Sequence, residues 1–240
     1  MEQEFIMKKQ VILIGLLLSA VSVMAAEDSV YDFSWLDKDK EVYVLQNRKF
    51  RKKGTAYIGA MGGITTSGSF VDSTSIQGRA GYFFKENWGI EFVMAKNSPA
   101  RNDTFKSIEN AGAGLIAFFN AVESYSGAML MWSPFYAKIN TFNDIIYFDW
   151  IFGIGYAAIN TVDNRIQAQV GISDPTLTSD SASGLLLNMG MRFYLSESWS
   201  LRMDLTPLLY NGFSREPNSS TNEEEFYSHY DFTVGLNYAF

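Results

Sequence analysis

The sequence predicts an all-β fold: an eight-stranded antiparallel transmembrane β-barrel, wound as an up-and-down meander. Three observations predict it. From Gly54 onward apolar side chains recur at every second residue, not with helical spacing. Short turns alternate with long loops along the chain, the arrangement of barrels that cross a membrane. The alternation also runs to the last residue, in "TVGLNYAF" at 233–240, although chain ends that nothing holds are usually polar and frayed.

The N-terminal stretch reads as an export signal. "MKKQVILIGLLLSAVSVMA" places Lys8 and Lys9 before a 13-residue apolar run from Val11 to Val23. Val23 and Ala25 are the small residues expected at −3 and −1 of a cleavage site, so residues 1–25 are expected to be a signal peptide. The run is short for a spanning helix. Glu2 and Glu4 are unusual ahead of such a region, which makes Met7 the expected start. An N-terminal core helix is the competing reading. Residues 26–53 are expected to be a periplasmic segment ending in the basic stretch "RKFRKK" at 48–53. That stretch suits anionic headgroups of the inner leaflet, and equally a solvated linker.

Residues 54–240 are read as the barrel. Strands are expected near 54–65, 73–85, 87–97 and 126–142, then over "DIIYFDWIFGIGYA", "SGLLLNMGMRFYL", "WSLRMDLTPLLY" and about 227–240. Each reaches the roughly 9–11 residues that a tilted membrane strand needs. Strand pairs 2–3, 4–5 and 6–7 are joined by the tight turns "KEN", "FND" and "SES". The longer joins fall at 66–72, 98–125, 160–181 and 211–226. Turns are expected on the periplasmic side and loops outside.

One face of these strands is wide and aromatic, the other small and polar. Tyr230, Phe232, Val234, Leu236, Tyr238 and Phe240 oppose His229, Asp231, Thr233, Gly235, Asn237 and Ala239. Phe148, Trp150, Phe152 and Ile154 on one strand would overfill the interior of a soluble eight-stranded barrel. Turned to lipid they raise no packing problem, and closure removes edges that hydrocarbon cannot tolerate. A soluble lipocalin-like barrel is the rival.

Composition narrows the function. Hydrophobic residues make up 47% and charged ones 19%, with 13 Tyr and 19 Phe, as a β-rich aromatic chain should. A net charge of −7 argues against a nucleic-acid partner. With no Cys and a single His, the sequence offers no disulfide framework, no metal cage and no evident cofactor.

The ionisable residues of the polar face are Arg79, Lys138, Arg192 and Arg202 against Glu91, Asp149, Asp204 and Asp231. The two sets balance, and in a narrow interior they are expected to pair and plug the lumen. The alternative places some of them at solvated rims. A small-solute or ion pore, with the same charges lining water, is the second functional reading. A lipid hydrolase is the third. "YSHYD" offers Ser228, His229 and Asp231, but neighbours in a strand point to opposite faces, so Ser228 and His229 cannot easily share a proton. His229 and Asp231 share a face and could pair, with a nucleophile from another strand, and the competing reading is a polar rim histidine. No catalytic residue is assigned. The segment "AGAGLIAFFNAVESY" within 98–125 is too apolar for an ordinary exposed loop. It is expected to cover the mouth, form a helix, meet a partner, extend strands 3 and 4, or add a hairpin that raises the strand count to ten. Loop 211–226 is acidic and suits exposure, or divalent ions bridging lipopolysaccharide.

The stretches "EVYVLQNRKFRKKG", "WSPFYAKINTFNDIIYFDWIFGIGYA" and "VGLNYAF" resemble the outer-membrane β-barrel domain family of predatory and myxobacterial-type Gram-negative bacteria, small OmpA/OmpX-like barrels. Ala137 stands where that pattern usually has glycine. The resemblance implies residence in the cell outer membrane, among lipid and lipopolysaccharide, and no defined activity. It also implies that Phe232, Val234, Leu236, Tyr238 and Phe240 form a signal read by the outer-membrane assembly machinery. An unidentified protein could further bind through the loops.

Overall fold

The computed structural model describes residues 48–66, 70–110, 117–141, 144–165, 177–213 and 224–240. The expected signal peptide and residues 26–47 lie outside them. Nine strand segments are present among the described residues: β1 (Ala56–Thr66), β2 (Val71–Phe83), β3 (Trp88–Arg101), β4 (Asn120–Trp132), β5 (Tyr136–Asn140), β6 (Ile145–Asp163), β7 (Thr178–Tyr194), β8 (Trp199–Phe213) and β9 (Glu224–Ala239). All pairings are antiparallel and run in sequence order, with β9 returning to β1 from Tyr57↔Ala239 to Thr66↔Tyr230. β4 and β5 both pair with β6, so they form one interrupted wall strand and the barrel closes with eight.

That interruption corrects the single strand expected over 126–142. Register runs to Trp132↔Phe152 and resumes at Tyr136↔Asp149, so Ser133, Pro134 and Phe135 face only Trp150 and Ile151. Pro134 has no N–H to give the ladder, and a bulge is where a sheet tolerates proline. The neighbours are bonded elsewhere: Ser133 N donates to Asn87 O at 2.8 Å and Trp150 N to Phe135 O at 3.2 Å. The extra residue reverses the inward parity. Met129 and Met131 point in before it, and Tyr136 turns in beside Asp149 after it.

Alternation decides which side faces lipid. Ile76 is 74% exposed, Met94 71% and Ile64 64%, while Tyr57, Met61, Gln77, Arg79 and Glu91 on the same three strands are buried. Such a continuous apolar outer surface is far larger than a soluble monomer leaves bare. At the end carrying the tight turns it is rimmed by aromatics. Trp88 stacks on Trp132 at 6.2 Å, and Tyr238 meets Trp199 and Phe240 edge-on at 5.1 Å each. This is a girdle of the kind that marks a membrane interface.

The turn end is tightly bonded: Lys85 N donates to Trp88 O, Thr141 N to Asp144 O, and Leu195 N to Trp199 O. At the loop end the strands run further than the sequence suggests. Between β3 and β4 the described residues include a helix, α1 (Asp103–Asn110). Asn102 caps it by accepting from Phe105 N at 3.0 Å, and Asp103 in the first turn suits the helix dipole. Phe105 anchors α1 in a small cluster with Val71, Phe119, Ala121 and Val162. The 98–125 segment therefore combines strand extension with a helix, and adds no hairpin among its described residues.

The β1–β9 seam depends on two small residues. A Cβ on Gly63 would lie 1.9 Å from Phe232 O, and one on Gly235 would lie 2.2 Å from Ala60 O. Both meet backbone, so a side chain there must push the closing strands apart. Gly235→Val should lower stability by about 1–3 kcal/mol, read as a lower guanidinium midpoint for the heat-modifiable folded form on gels. Gly78→Ala on β2, where a Cβ meets nothing within 4 Å, should stay within about 0.5 kcal/mol.

Candidate functional site: the barrel interior

The interior begins from strand parity. Inward positions of β2, β8 and β9 carry mainly polar and charged residues and those of β4 and β6 mainly apolar or small ones, while β1, β3 and β7 supply both kinds, β7 through Leu186 beside Asn188 and Arg192. Met129, Met131, Ile151, Ile159 and Leu186 are buried against Val93, Tyr125 and Leu208. One wall of the lumen is thus an ionic cluster and the other a hydrophobic core.

Glu91 is the hub of the ionic wall. Fully buried, it accepts from the Tyr57 hydroxyl, from Arg79 Nη1 at 2.8 Å, and from both terminal nitrogens of Arg202. Asp204 lies on the same two cations, 3.3 Å from Arg79 Nη1 and 2.7 Å from Arg202 Nε. Two guanidinium groups and two carboxylates therefore neutralise each other in a site without solvent. The remaining donors of Arg79 reach Gln77 Oε1 at 2.8 Å, Thr206 Oγ1 at 2.9 Å and Asn188 Oδ1 at 3.1 Å. Removing one partner of such a set leaves an uncompensated buried charge, which is the costly event, whatever the intact set contributes.

The chain of bonds continues toward the loop end. Gln77 Nε2 donates to Asp231 Oδ2 at 2.8 Å, and the Tyr125 hydroxyl donates to the same oxygen at 2.6 Å. Asp231 Oδ1 is 2.7 Å from His229 Nε2, and Thr65 Oγ1 is 2.9 Å from that same nitrogen. A relay from a nucleophile through an imidazole to a carboxylate uses the two ring nitrogens separately. Here the Thr65 hydroxyl lies against both ring nitrogens, 2.9 Å from Nε2 and 3.3 Å from Nδ1, all inside the barrel, and Ser228 is exposed on the outer face, away from the imidazole.

At the turn end the lumen is capped by residues that precede β1. Gly54, at φ +83°, is the one described residue with a left-handed backbone, and its N–H donates to Phe83 O at 2.7 Å. This bend swings residues 48–53 across the mouth. Phe50 stacks on Tyr194 with ring centroids 4.6 Å apart and meets Tyr147 edge-on at 5.4 Å. Lys52 is buried, 2.8 Å from Asp149 Oδ2 and 2.6 Å from Ser133 Oγ. The backbone N–H groups of Lys52 and Lys53 donate to the Glu86 carboxylate at 3.2 and 3.3 Å. Burial pulls the Lys52 ammonium below the ordinary lysine value, and Asp149 opposes that shift. Neither reading of "RKFRKK" as headgroup-binding or solvated accounts for Phe50 and Lys52, which are buried as a cap. Arg51 and Lys53 remain exposed.

Of the eight ionisable residues expected inside, Arg79, Glu91, Arg202 and Asp204 meet in one cluster, and Asp231 joins it through Gln77. Asp149 is buried with Lys52 at the turn end, and Arg192 is buried against the rings of Tyr57 and Phe83. Lys138 is exposed on the short β5 and stands outside the cluster. The neutral members Tyr57, Gln77, Tyr125, Asn188 and Thr206 are equally involved. Their inward parity was the signal for them, and charge alone could not show it. Lys52 gave no such signal because it lies outside any strand.

A lipid-facing, closed meander with an internally paired interior defines a transmembrane β-barrel protein. The particular family follows from the sequence: the model of the outer membrane protein beta-barrel domain matches residues 13–240, and the chain belongs to that family. It is thus an outer-membrane β-barrel of the Gram-negative envelope. Solved barrels of similar structure include the N-terminal β-barrel domain of Pseudomonas aeruginosa OprF, at 11% identity and TM-score 0.46 over 78% of this chain and 98% of that one. Pseudomonas aeruginosa OprG is 17% identical with TM-score 0.45 over 80% and 98%. Ail of Yersinia pestis is 12% identical with TM-score 0.37 over 78% and 99%. No curated protein matches the chain in sequence.

Glu91→Gln should destabilise the barrel by about 3–5 kcal/mol, because Arg79 and Arg202 would then share Asp204 alone. Equilibrium unfolding in micelles checks it, with exposed Lys138→Ala as the control expected within about 0.5 kcal/mol of the parent.

Proposed function

We propose that this barrel carries no water path and works as a structural or interaction protein of the outer membrane through its outer loops. One observation carries the reading: the interior holds two buried networks, Lys52–Asp149 with the Phe50 stack at the turn end, and a run of bonds from Glu91 through Arg79 and Gln77 to Asp231, His229 and Thr65 toward the loop end. A pore needs at least part of this run replaced by water. The turn end is read as periplasmic and the loop end as external. The external surface includes α1, whose Lys106 and Glu109 are exposed, and the acidic loop around 211–226, which suits divalent ions on lipopolysaccharide. A protein partner would bind there, and no catalytic role is assigned to His229. On the quoted stretches alone, the source envelope is taken to be of the predatory or myxobacterial type.

The outward ladder Phe232, Val234, Leu236, Tyr238 and Phe240 is exposed along β9 and fits a role in assembly. Deleting Phe240 should leave the refolded barrel intact in detergent yet reduce its outer-membrane level several-fold in cells. Equal levels with and without Phe240 would remove that role.

Planar-bilayer recording tests the main reading. The intact protein, shown folded by its heat-dependent gel shift, should be silent, and Phe50→Ala with Lys52→Ala should give brief openings. Stable, reproducible conductance steps from the intact chain would replace the closed barrel with a pore.

A further inference from the structure

A cavity of about 240 Å³ lies at the turn end, between residues 49–55 and the barrel wall. Its lining is unlike the rest of the interior. Four cationic side chains border it, Lys49, Arg51, Lys52 and Arg192, and one acidic side chain, Glu197. Lys52 is committed to Asp149 at 2.8 Å. Arg192 has a hydrogen bond to Tyr194 but no ion pair of this kind among the described residues.

Arg192 is 5% exposed, and its Nε and Nη2 have no hydrogen-bond partner. Its guanidinium carbon sits 4.5 Å from the ring centroid of Tyr57 and 5.3 Å from that of Phe83. Those contacts use the flat face of the group. The N–H donors lie in its plane and stay available, and Nε with Nη2 is the parallel pair that grips an oxyanion side-on. Asp149 faces Arg192 across the strands; its Oδ2 is taken by Lys52 and by the Tyr194 hydroxyl at 2.5 Å, and its Oδ1 is buried without a hydrogen-bond partner and is not bonded to the Arg192 fork. Asn237, 1% exposed and lining the same cavity, has both side-chain amide atoms unpartnered.

Buried cations and amides are rarely left unpaired, because an unmade bond in such a site costs more than a made one contributes. Stacking on two rings offsets only part of that for Arg192. Two independent groups, both buried and both with unpartnered polar atoms, open into one cavity whose border is net positive. From this we propose that the turn-end cavity is a binding site for a phosphate-type oxyanion, held by the Nε–Nη2 fork of Arg192 and the side-chain amide of Asn237. Lys49 and Arg51 at its border would draw the anion in. The same chemistry is presented by free phosphate and by the phosphodiester of an anionic lipid headgroup.

The test uses the full chain refolded in an uncharged maltoside detergent and a phosphate-free chloride buffer. Inorganic phosphate should raise the thermal midpoint of the heat-modifiable form and saturate, while chloride at matched ionic strength should not. Arg192→Lys keeps the charge and loses the fork, and should weaken phosphate binding at least tenfold. If that variant does not fold, Asn237→Ala supplies the same comparison. A midpoint raised by phosphate identifies a free anion as the source. A midpoint raised only in phosphatidylglycerol bicelles, and not in phosphatidylcholine ones, identifies the headgroup. The proposal is overturned if neither phosphate nor phosphatidylglycerol shifts the midpoint, which would mean Arg192 pairs within the chain, with the facing Asp149. It is equally overturned if Arg192→Lys and Asn237→Ala respond as the parent does.

Discussion

The fold depends on how Glu91 is satisfied. Lipid accepts only apolar side chains on the outer wall, so every polar residue that strand alternation places opposite them is forced inside. There it can meet no bulk water, and its bonds must come from other strands. Glu91 on β3 takes them from β1, β2 and β8 at once, through Tyr57, Arg79 and Arg202. β1, β2 and β3 are consecutive, but β8 is distant from them in sequence, and only closure through β9 brings it to the same side of the lumen as β1. The cluster thus requires the closed barrel, and it holds that closure against slippage. A shift of one residue in any contributing strand would carry its charge into hydrocarbon.

The hydrophobic wall does the complementary task. β4, β6 and β7 bring Met129, Met131, Ile151 and Leu186 inward, and these need shape fit but no partners. A lumen polar on every side would require many more mutually consistent bonds. Grouping Glu91, Asp204, Arg79 and Arg202 on β2, β3 and β8 lets long arginine side chains end on acids, with methionine filling much of the space opposite. Gly153 shows how close this packing is, since a Cβ there would come within 3 Å of both Met129 Sδ and Met131 Sδ.

Much of this was legible in the sequence because the membrane imposes a period-two code that few other environments require. The strand pairing, the outward aromatic faces of β6 and β9, and closure onto Phe240 all follow from it. What the code does not carry is where strands stop pairing regularly. Pro134 signals a break within "WSPFYAK", yet the consequence, inward parity reversed so that Tyr136 meets the Phe50 backbone N–H at 3.4 Å, depends on the partner strand. The strand extensions at the loop end were hidden for a related reason: beyond the lipid the outer face no longer has to be apolar, so alternation fades while the ladder continues. Interior residues were legible as faces and not as partners. Arg79 and Lys138 look alike in a list of inward bases, but Lys138 sits on a five-residue strand at the solvent edge, and Arg79 lies mid-wall.

The basic stretch before β1 shows how one backbone feature changes what a sequence means. As a string, "RKFRKK" is a run of charge with one phenylalanine in it. The left-handed bend at Gly54 turns it back over the barrel mouth, and alternate residues then have opposite fates. Phe50 and Lys52 go in, while Lys49, Arg51 and Lys53 stay out. The inward pair is neutralised by Asp149 and covered by Tyr147 and Tyr194, which are the last inward residues of their own strands. The outward set leaves a cationic collar. Capping the lumen and making its rim basic are therefore one structural event, and this sets the Nε and Nη2 donors of Arg192, which have no hydrogen-bond partner, beneath a ring of like charge.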